Sequence, residues 1–325
     1  MVGTAGAGTV ITTQTEGQDF RMTFKIRHPD NMSSPSAEIT VYNLSKSTAR
    51  DVIHEFDQVV LMAGYMTGHY GIIFKGTIKQ YKIGRESAVD SYLKIFASTG
   101  DIERNFATSS GTLDDPSWRQ RQEVLYGDLH RENPHLEKGQ FEDPAPDFLK
   151  NAFMPRPYVR WGSAADEMRE HARSTQQTWY WEHGQLHCLP STAYRRGEII
   201  VINPGTGQIG AAEVTQDGIF IKCLLNPNIY VKSLVQLDSR TFNQYFVPGG
   251  NQLKGQFGAH WPTRAGIAPI MASVDEDGTY CVMVVDHEGD SRGLPWYSNL
   301  VCTNQDPTNP WDASLRANDW WSRNG

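Results

Sequence analysis

The chain has 325 residues, 39 % of them hydrophobic and 21 % charged, with a formal net charge of −7. That length allows two or three domains with a sizeable core. The acidic balance argues against a protein that grips nucleic acid by its phosphates, while abundant Gly (29) and Pro (17) fit many turns joining short strands.

The opening MVGTAGAGTV has neither a basic n-region nor an apolar h-region, and residue 2 is not glycine. No secretory signal or myristoylation is expected. No apolar run approaches the roughly 18 residues of a membrane span, so synthesis and folding in the cytoplasm are expected. None of Cys188, Cys223, Cys281 and Cys302 belongs to a CxxC pair, and three lie in apolar strand patterns. They read as buried free thiols.

In chain order, residues 1–18 read as a flexible Gly/Thr/Ala arm. Phe20, Met22, Phe24 and Ile26 alternate with Arg21, Thr23, Lys25 and Arg27, the pattern of a half-buried strand. A turn at His28–Asn31 and a strand around Ile39 and Val41 follow. Ser45 caps a short helix with Ala49, Val52, Ile53 and Phe56 on one face. Strands are predicted at 59–63, 72–82 and 92–98, with a turn at 84–87. Strand, strand, helix and further strands suggest a small barrel plugged at one end.

Residues 103–160 differ in composition. Trp118, Leu125, Phe148 and Phe153 are candidate anchors, and Pro134, Pro144, Pro146, Pro155 and Pro157 argue against long helices. The segment reads as an irregular insertion. Ser163–Asp166 is a capping-box variant opening a helix with Ala165, Met168 and Ala172 inward. A hairpin over 179–189 turns at His183-Gly184.

The stretch 205–238 reads as a strand of alternating Ile219, Ile221, Cys223 and Leu225, a turn at Asn226-Pro227-Asn228, and a second strand through Val231, Val235 and Leu237. The expectation is an antiparallel hairpin with one wet face. A long Gly/Gln-rich loop over 242–266, a turn at Asp275–Gly278, a strand over 280–286 and a closing strand at 300–303 complete this part. The first and third parts share an order of strands that suggests duplication, without a sequence repeat.

Chemical motifs are sparse. Gly205–Gly210 matches GxGxxG, but only Ala211–Val214 follow before the chain turns, too few for the helix a dinucleotide site needs. His183, His187, Cys188 and Cys223 could be zinc donors, yet His187 and Cys188 are strand neighbours pointing to opposite faces, and His183 at its turn is expected in water. Asp286, His287, Glu288 and Asp290 form a polar cluster that could bind a cation or supply an acid/base pair. GxSxG, HExxH and Walker patterns are absent. Trp296 and Tyr297 in a Gly/Pro-rich loop, with Trp311, Trp320 and Trp321 in the polar tail, are the candidate partner-interface residues. No catalytic, cofactor or metal residues are assigned.

The segments TVYNLSKSTARDVI, LMAGY and IFKGTI within 24–76 resemble the first barrel of baseplate hub proteins of tailed bacteriophages. TGQIGAAEVTQDGIFIKCLLNP, VKSLVQLDS and DGTYCVMVVDHEGDSRGLPWYSNLVC resemble the second, in the family's order; residues 103–160 match nothing in it. The resemblance implies a mainly β, α+β chain. A flexible arm (1–18) precedes a tail-tube-like antiparallel barrel (19–102). An irregular insertion with a helix-hairpin domain (103–197), a second such barrel (198–305) and an aromatic tail (306–325) follow. It also implies a non-enzymatic structural role without cofactors, in a virion tail baseplate assembled in the host cytoplasm. A homotrimer there forms a pseudo-hexameric ring that joins the six-fold tail tube protein to the three-fold central spike protein, with baseplate wedge proteins as further partners. Phage DNA passes through its channel during ejection without specific binding or membrane insertion. A baseplate-associated cell-wall hydrolase and a carbohydrate- or receptor-binding tail module are the alternatives.

Overall fold

The computed structural model describes residues 2–4, 7–13, 20–30, 33–55, 57–65, 68–114, 116–144, 149, 156–215, 218–237, 242–243 and 278–304. Its first part contains β1 (Val2–Thr4), β2 (Ala7–Thr9), β3 (Met22–Pro29), β4 (Ser36–Tyr42), α1 (Lys46–Glu55), β5 (Gln58–Gly64), β6 (Tyr70–Arg85) and β7 (Ser91–Ser98). The middle part contains α2 (Asp101–Phe106), β8 (Thr108–Leu113), α3 (Trp118–Glu132), β9 (Glu137–Phe141), β10 (Tyr158–Ser163), α4 (Ala164–Thr175), β11 (Gln177–Glu182) and β12 (Gln185–Pro190). The last contains β13 (Ile200–Ile202), β14 (Ala212–Thr215), β15 (Gly218–Leu224), β16 (Leu234–Leu237), β17 (Phe242–Asn243), β18 (Thr279–Asp290) and β19 (Trp296–Asn304).

The fold is mainly β with few helices, and its long ladders are antiparallel. The first and last parts are one sheet, ordered β17-β14-β15-β19-β18-β3-β4-β7-β6-β5-β1-β2, with β13 and β16 branching from β18. Two separately closed barrels were expected; among the described residues no pairing closes either half. The reason is the length of β18. Its first residues pair with β16, and Val284–Asp290 pair with β3, so the strand leaves one half and completes the edge of the other. β6 divides in the same way, its start pairing with β5 and its end with β7.

Alternation decides which face is dry. Phe24, Ile26, Ile39, Val41, Leu93 and Ile95 point into one core with Ile73 and Phe74. Ile219, Ile221, Val235, Leu237, Tyr280, Val285 and Leu300 point into a second. The third core lies in the middle part, where Leu125 and Leu129 of α3 and Met168 and Ala172 of α4 meet Trp179 and Trp181. All four cysteines are buried free thiols.

Several expectations change. The segment 103–160 is not irregular throughout: α3 occupies it between Pro116 and Pro134, opened by a capping box in which the Ser117 Oγ accepts from Gln120 and Gln120 reaches back. Pro116 precedes this helix and Pro134 follows it, and no proline interrupts it. Phe148 and Phe153 lie outside the described residues. The stretch 219–237 is not a hairpin. β15 pairs with β14 and β19, and β16 with β13 and β18. The Asn226-Pro227-Asn228 turn carries Leu225 into the first core and Val231 into the second. The reading at 84–87 also shifts, because β6 runs through Gly84 and the chain turns at 86–90. The hairpin at His183-Gly184 stands as expected: both residues have positive φ (49° and 79°), the geometry of a two-residue turn matched to strand twist. Ser163 caps α4, and Ala165, Met168 and Ala172 are buried.

Candidate functional site

The sequence-predicted acidic cluster lies on β18, at the seam where the sheet halves join. Alternation separates its members. Asp286, Glu288 and Asp290 stand on the open face, whereas His287 points inward and is buried. Each carboxylate meets a cation of the first part: Asp286 with Arg27 at 3.8 Å, Glu288 with Lys25 at 3.5 Å, Asp290 with Arg21 at 2.7 Å. The pattern continues at Glu38 and Lys94 (2.6 Å) on β4 and β7. The open face therefore carries both signs in neighbouring registers, and the carboxylates serve a cross-strand ladder. Exposed pairs of this kind contribute little stability. Glu288→Gln is expected to change unfolding free energy in urea by less than about 1 kcal/mol.

The zinc donors do not converge. Cys188 lies in the third core and Cys223 in the second, its thiol toward the Ser298 carbonyl at 3.5 Å. His187 stacks on Tyr180 (5.0 Å between rings), and its Nδ1 accepts from Gln140 N–H at 3.0 Å. Burial lowers His187 to about 3. Among the described residues no group of three or more His, Cys, Asp or Glu is arranged to hold a metal ion. The GxGxxG segment is a loop along β15, where Ile209 N–H donates to Lys222 and Leu224 N–H to Gly207, each at 2.8 Å.

His183 is not in water. Its ring lies 5.1 Å from His28 and 5.7 Å from Tyr230, against the seam. Two buried ion pairs flank it, Asp30 with Lys232 at 3.0 Å and Glu182 with Arg195. Glu182 also accepts from Val231 N–H at 3.0 Å. Burial outweighs these partners and raises its carboxyl to about 7. Sequence reasoning missed this cluster because its members come from residues far apart in the chain.

Trp296 and Tyr297 begin β19 and are not in a loop. Trp296 packs edge-on against Phe24 at 5.3 Å, and its carbonyl accepts from Leu225 N–H at 3.1 Å. The Lys222 ammonium sits 4.2 Å from the Tyr297 ring. Trp311, Trp320 and Trp321 lie outside the described residues. The most exposed described tryptophan is one the sequence did not single out: Trp161, 84 % exposed on β10, with Val159 on the same face and Phe106 also exposed on α2. Tyr158 and Arg160 alternate inward, so the two-stranded ribbon β8–β10 turns its apolar pair outward.

No protein-family model matches the chain, and no curated protein matches it. Solved structures do. The Escherichia coli c3393 protein is a component of the type VI secretion system with structural similarity to T4 bacteriophage tail proteins gp27 and gp5. It superposes with a TM-score of 0.53 at 9 % identity, over 91 % of this chain and 77 % of its own. The 43 kDa tail protein of prophage MuSo2 from Shewanella oneidensis gives 0.50 at 7 % identity, over 90 % of this chain and 100 % of its own. The chain has a phage tail-protein fold. At these identities the likeness is one of architecture, and it agrees with the baseplate-hub resemblance of the sequence segments.

Proposed function

We propose that the chain is the structural, non-enzymatic hub of a phage tail baseplate. Three copies close a pseudo-hexameric ring, each sheet half acting as one tube-like repeat, between the six-fold tail tube and the three-fold spike. The observation that carries this reading is the β18–β3 seam: one chain fuses two sheet halves into a continuous wall, with its carboxylates committed to structural pairing. The units are those of the sequence reading, 19–102 and 198–305 for the wall and 103–197 for the middle domain, with the tail 306–325 reaching neighbours and the arm 1–18 pairing through β1 with β5 of its own chain.

The open face suits a DNA conduit. An uncompensated row of Lys and Arg would retard a polyanion, whereas paired charges of both signs leave little field to hold it. The Trp161 ribbon and the tail residues Trp311, Trp320 and Trp321 supply contacts to tube, spike or wedge proteins. Trp296 and Tyr297 add to them by fixing β19.

Native mass spectrometry of the purified chain, alone and with its tube and spike proteins, is the test. A trimer that binds either partner is the expected result. A chain that stays monomeric with both partners present, or that clears peptidoglycan, would overturn the reading.

A further inference from the structure

Three imidazoles meet where the cores touch. His28 of β3 lies 5.1 Å from His183 at the β11–β12 turn and 6.2 Å from His287 of β18, ring centre to ring centre. Nε2 of His28 donates to the Ile73 carbonyl at 2.9 Å, so its Nδ1 carries a bare lone pair. That Nδ1 and the Nδ1 of His183 have no hydrogen-bond partner among the described residues. His287 Nδ1 lies 2.9 Å from the Ser298 hydroxyl. Burial holds all three imidazoles neutral, His28 down to about 4, His287 to about 3 and His183 well below its ordinary value. Neighbouring histidines add to the effect at His183 and His287.

The surroundings offer no spare counter-charge. β6 contributes the Ile73 carbonyl, the Phe74 ring, 6.1 Å from His28, and Lys75, whose stem lies beside Gly184 of the turn and whose ammonium pairs with Glu137 of β9 at 2.6 Å. The loop 226–233 contributes Tyr230 and Lys232, the latter paired with Asp30 just beyond β3. Glu182 of β11 is paired with Arg195, whose guanidinium lies over Tyr230, and β12 adds His187. A proton on any of the three rings would be unpaired, and a second would sit about 5–6 Å from the first, where repulsion in a buried site is strong.

We propose that these histidines are an acid-sensitive latch, holding the β11–β12 turn of the middle part against the β18–β3 seam while neutral and releasing it when protonated. Released into water, each titrates near 6.5. Between that value and the closed-state values the open form binds more protons, so acid favours opening. At pH 5 the factor is about 30-fold for each histidine released. Glu182 works the other way between about 4.5 and 7, because its buried carboxyl takes up a proton first in the closed form. It offsets roughly one histidine, leaving a net rise in opening of roughly 100-fold or more.

Hydrogen exchange of the full chain at pH 7.5 and pH 5, corrected for the intrinsic rate, reads this directly and needs no partner protein. The amide to follow is Val231, whose N–H donates to the Glu182 carboxylate across the boundary between the last and middle parts. Its opening is expected to rise by that factor while the β4–β7 ladder stays protected. His183→Asn, which tolerates the positive φ, is expected to lose about 30-fold of the pH response. His287→Gln, which keeps a partner for Ser298, is the second variant and carries the same expectation. Unchanged protection at pH 5, or a full pH response in both variants, would overturn the proposal.

Discussion

Lys232→Met is expected to lower the stability of the chain by about 3–5 kcal/mol. Lys232 is 1 % exposed and its partner Asp30 2 %, with 3.0 Å between ammonium and carboxylate. The ammonium also donates to the Ser191 carbonyl at 3.1 Å. Methionine matches the length of the stem and fills its space, so packing is largely kept and what is lost is the charge. The Asp30 carboxylate is then stranded beside the second core. Leaving one member of a buried pair costs more than the pair ever contributed, because desolvation of the survivor is no longer offset. The backbone bonds of residue 232, its N–H to Val282 and its carbonyl to Arg195 N–H, both 2.7 Å, do not depend on the side chain. Lys232→Met/Asp30→Leu, which removes both charges, is therefore expected to recover most of the loss. Urea unfolding of the wild type, the single and the double variant checks this. A double variant as unstable as the single one would place the cost in packing and not in the stranded charge.

This pair also shows what the sequence could and could not reveal. The alternation of Phe24 and Ile26 with Lys25 and Arg27 is local, and β3 followed from it directly. So did the two-residue turn at His183-Gly184, the cap at Ser163 and the loop character of GxGxxG. Pairing is not local. β18 and β3 meet across the length of the chain, and nothing in the period of either strand names its partner. The same gap produced the false hairpin at 219–237. Alternation marked both segments correctly as extended, but the Asn-Pro-Asn corner can fold a strand back or redirect it, and here it redirects. α3 was hidden for a different reason. Its buried face includes Arg121, Gln122 and Asp128 beside Leu125 and Leu129, so the apolar stripe that signals a helix is broken by buried polar groups. Those groups are held by neighbours: Arg121 lies 4.0 Å from the Tyr158 ring, and Asp128 pairs with Arg160 and accepts from Ser109 at 2.6 Å. The capping box at Ser117 and Gln120 was the one legible sign. Even the candidate interface divides along this line. Trp296 looked exposed in its Gly/Pro surroundings, yet the seam brings Phe24 against it, while Trp161 gave no local sign of standing free.

Gly100→Ala is the other change expected to have a large effect, about 2–4 kcal/mol of destabilisation from backbone strain and overpacking together. Gly100 follows β7 and precedes α2, at the point where the first core hands over to the third. Its φ of 78° is left-handed, which glycine adopts freely and alanine does not. Its carbonyl accepts the first helical bond from Arg104 N–H at 3.1 Å, so the residue is the N-cap of α2. A Cβ there would collide with the indole of Trp181. That ring is fully buried and wedged edge-on against Trp179 at 4.7 Å, so it has no room to retreat. Two controls separate the causes. Gly127→Ala in α3, where a Cβ meets nothing within 4 Å, is expected to be neutral or to stabilise by about 0.5–1 kcal/mol through helix propensity. Trp181→Leu is itself destabilising, but adding Gly100→Ala to it is expected to cost only the left-handed strain, about 1 kcal/mol. The coupling between the two sites in thermal or urea unfolding then measures the steric part alone. Strict additivity would mean that Trp181 does not press on Gly100, and that the handover between the cores is held by the turn conformation and not by the closeness of the ring.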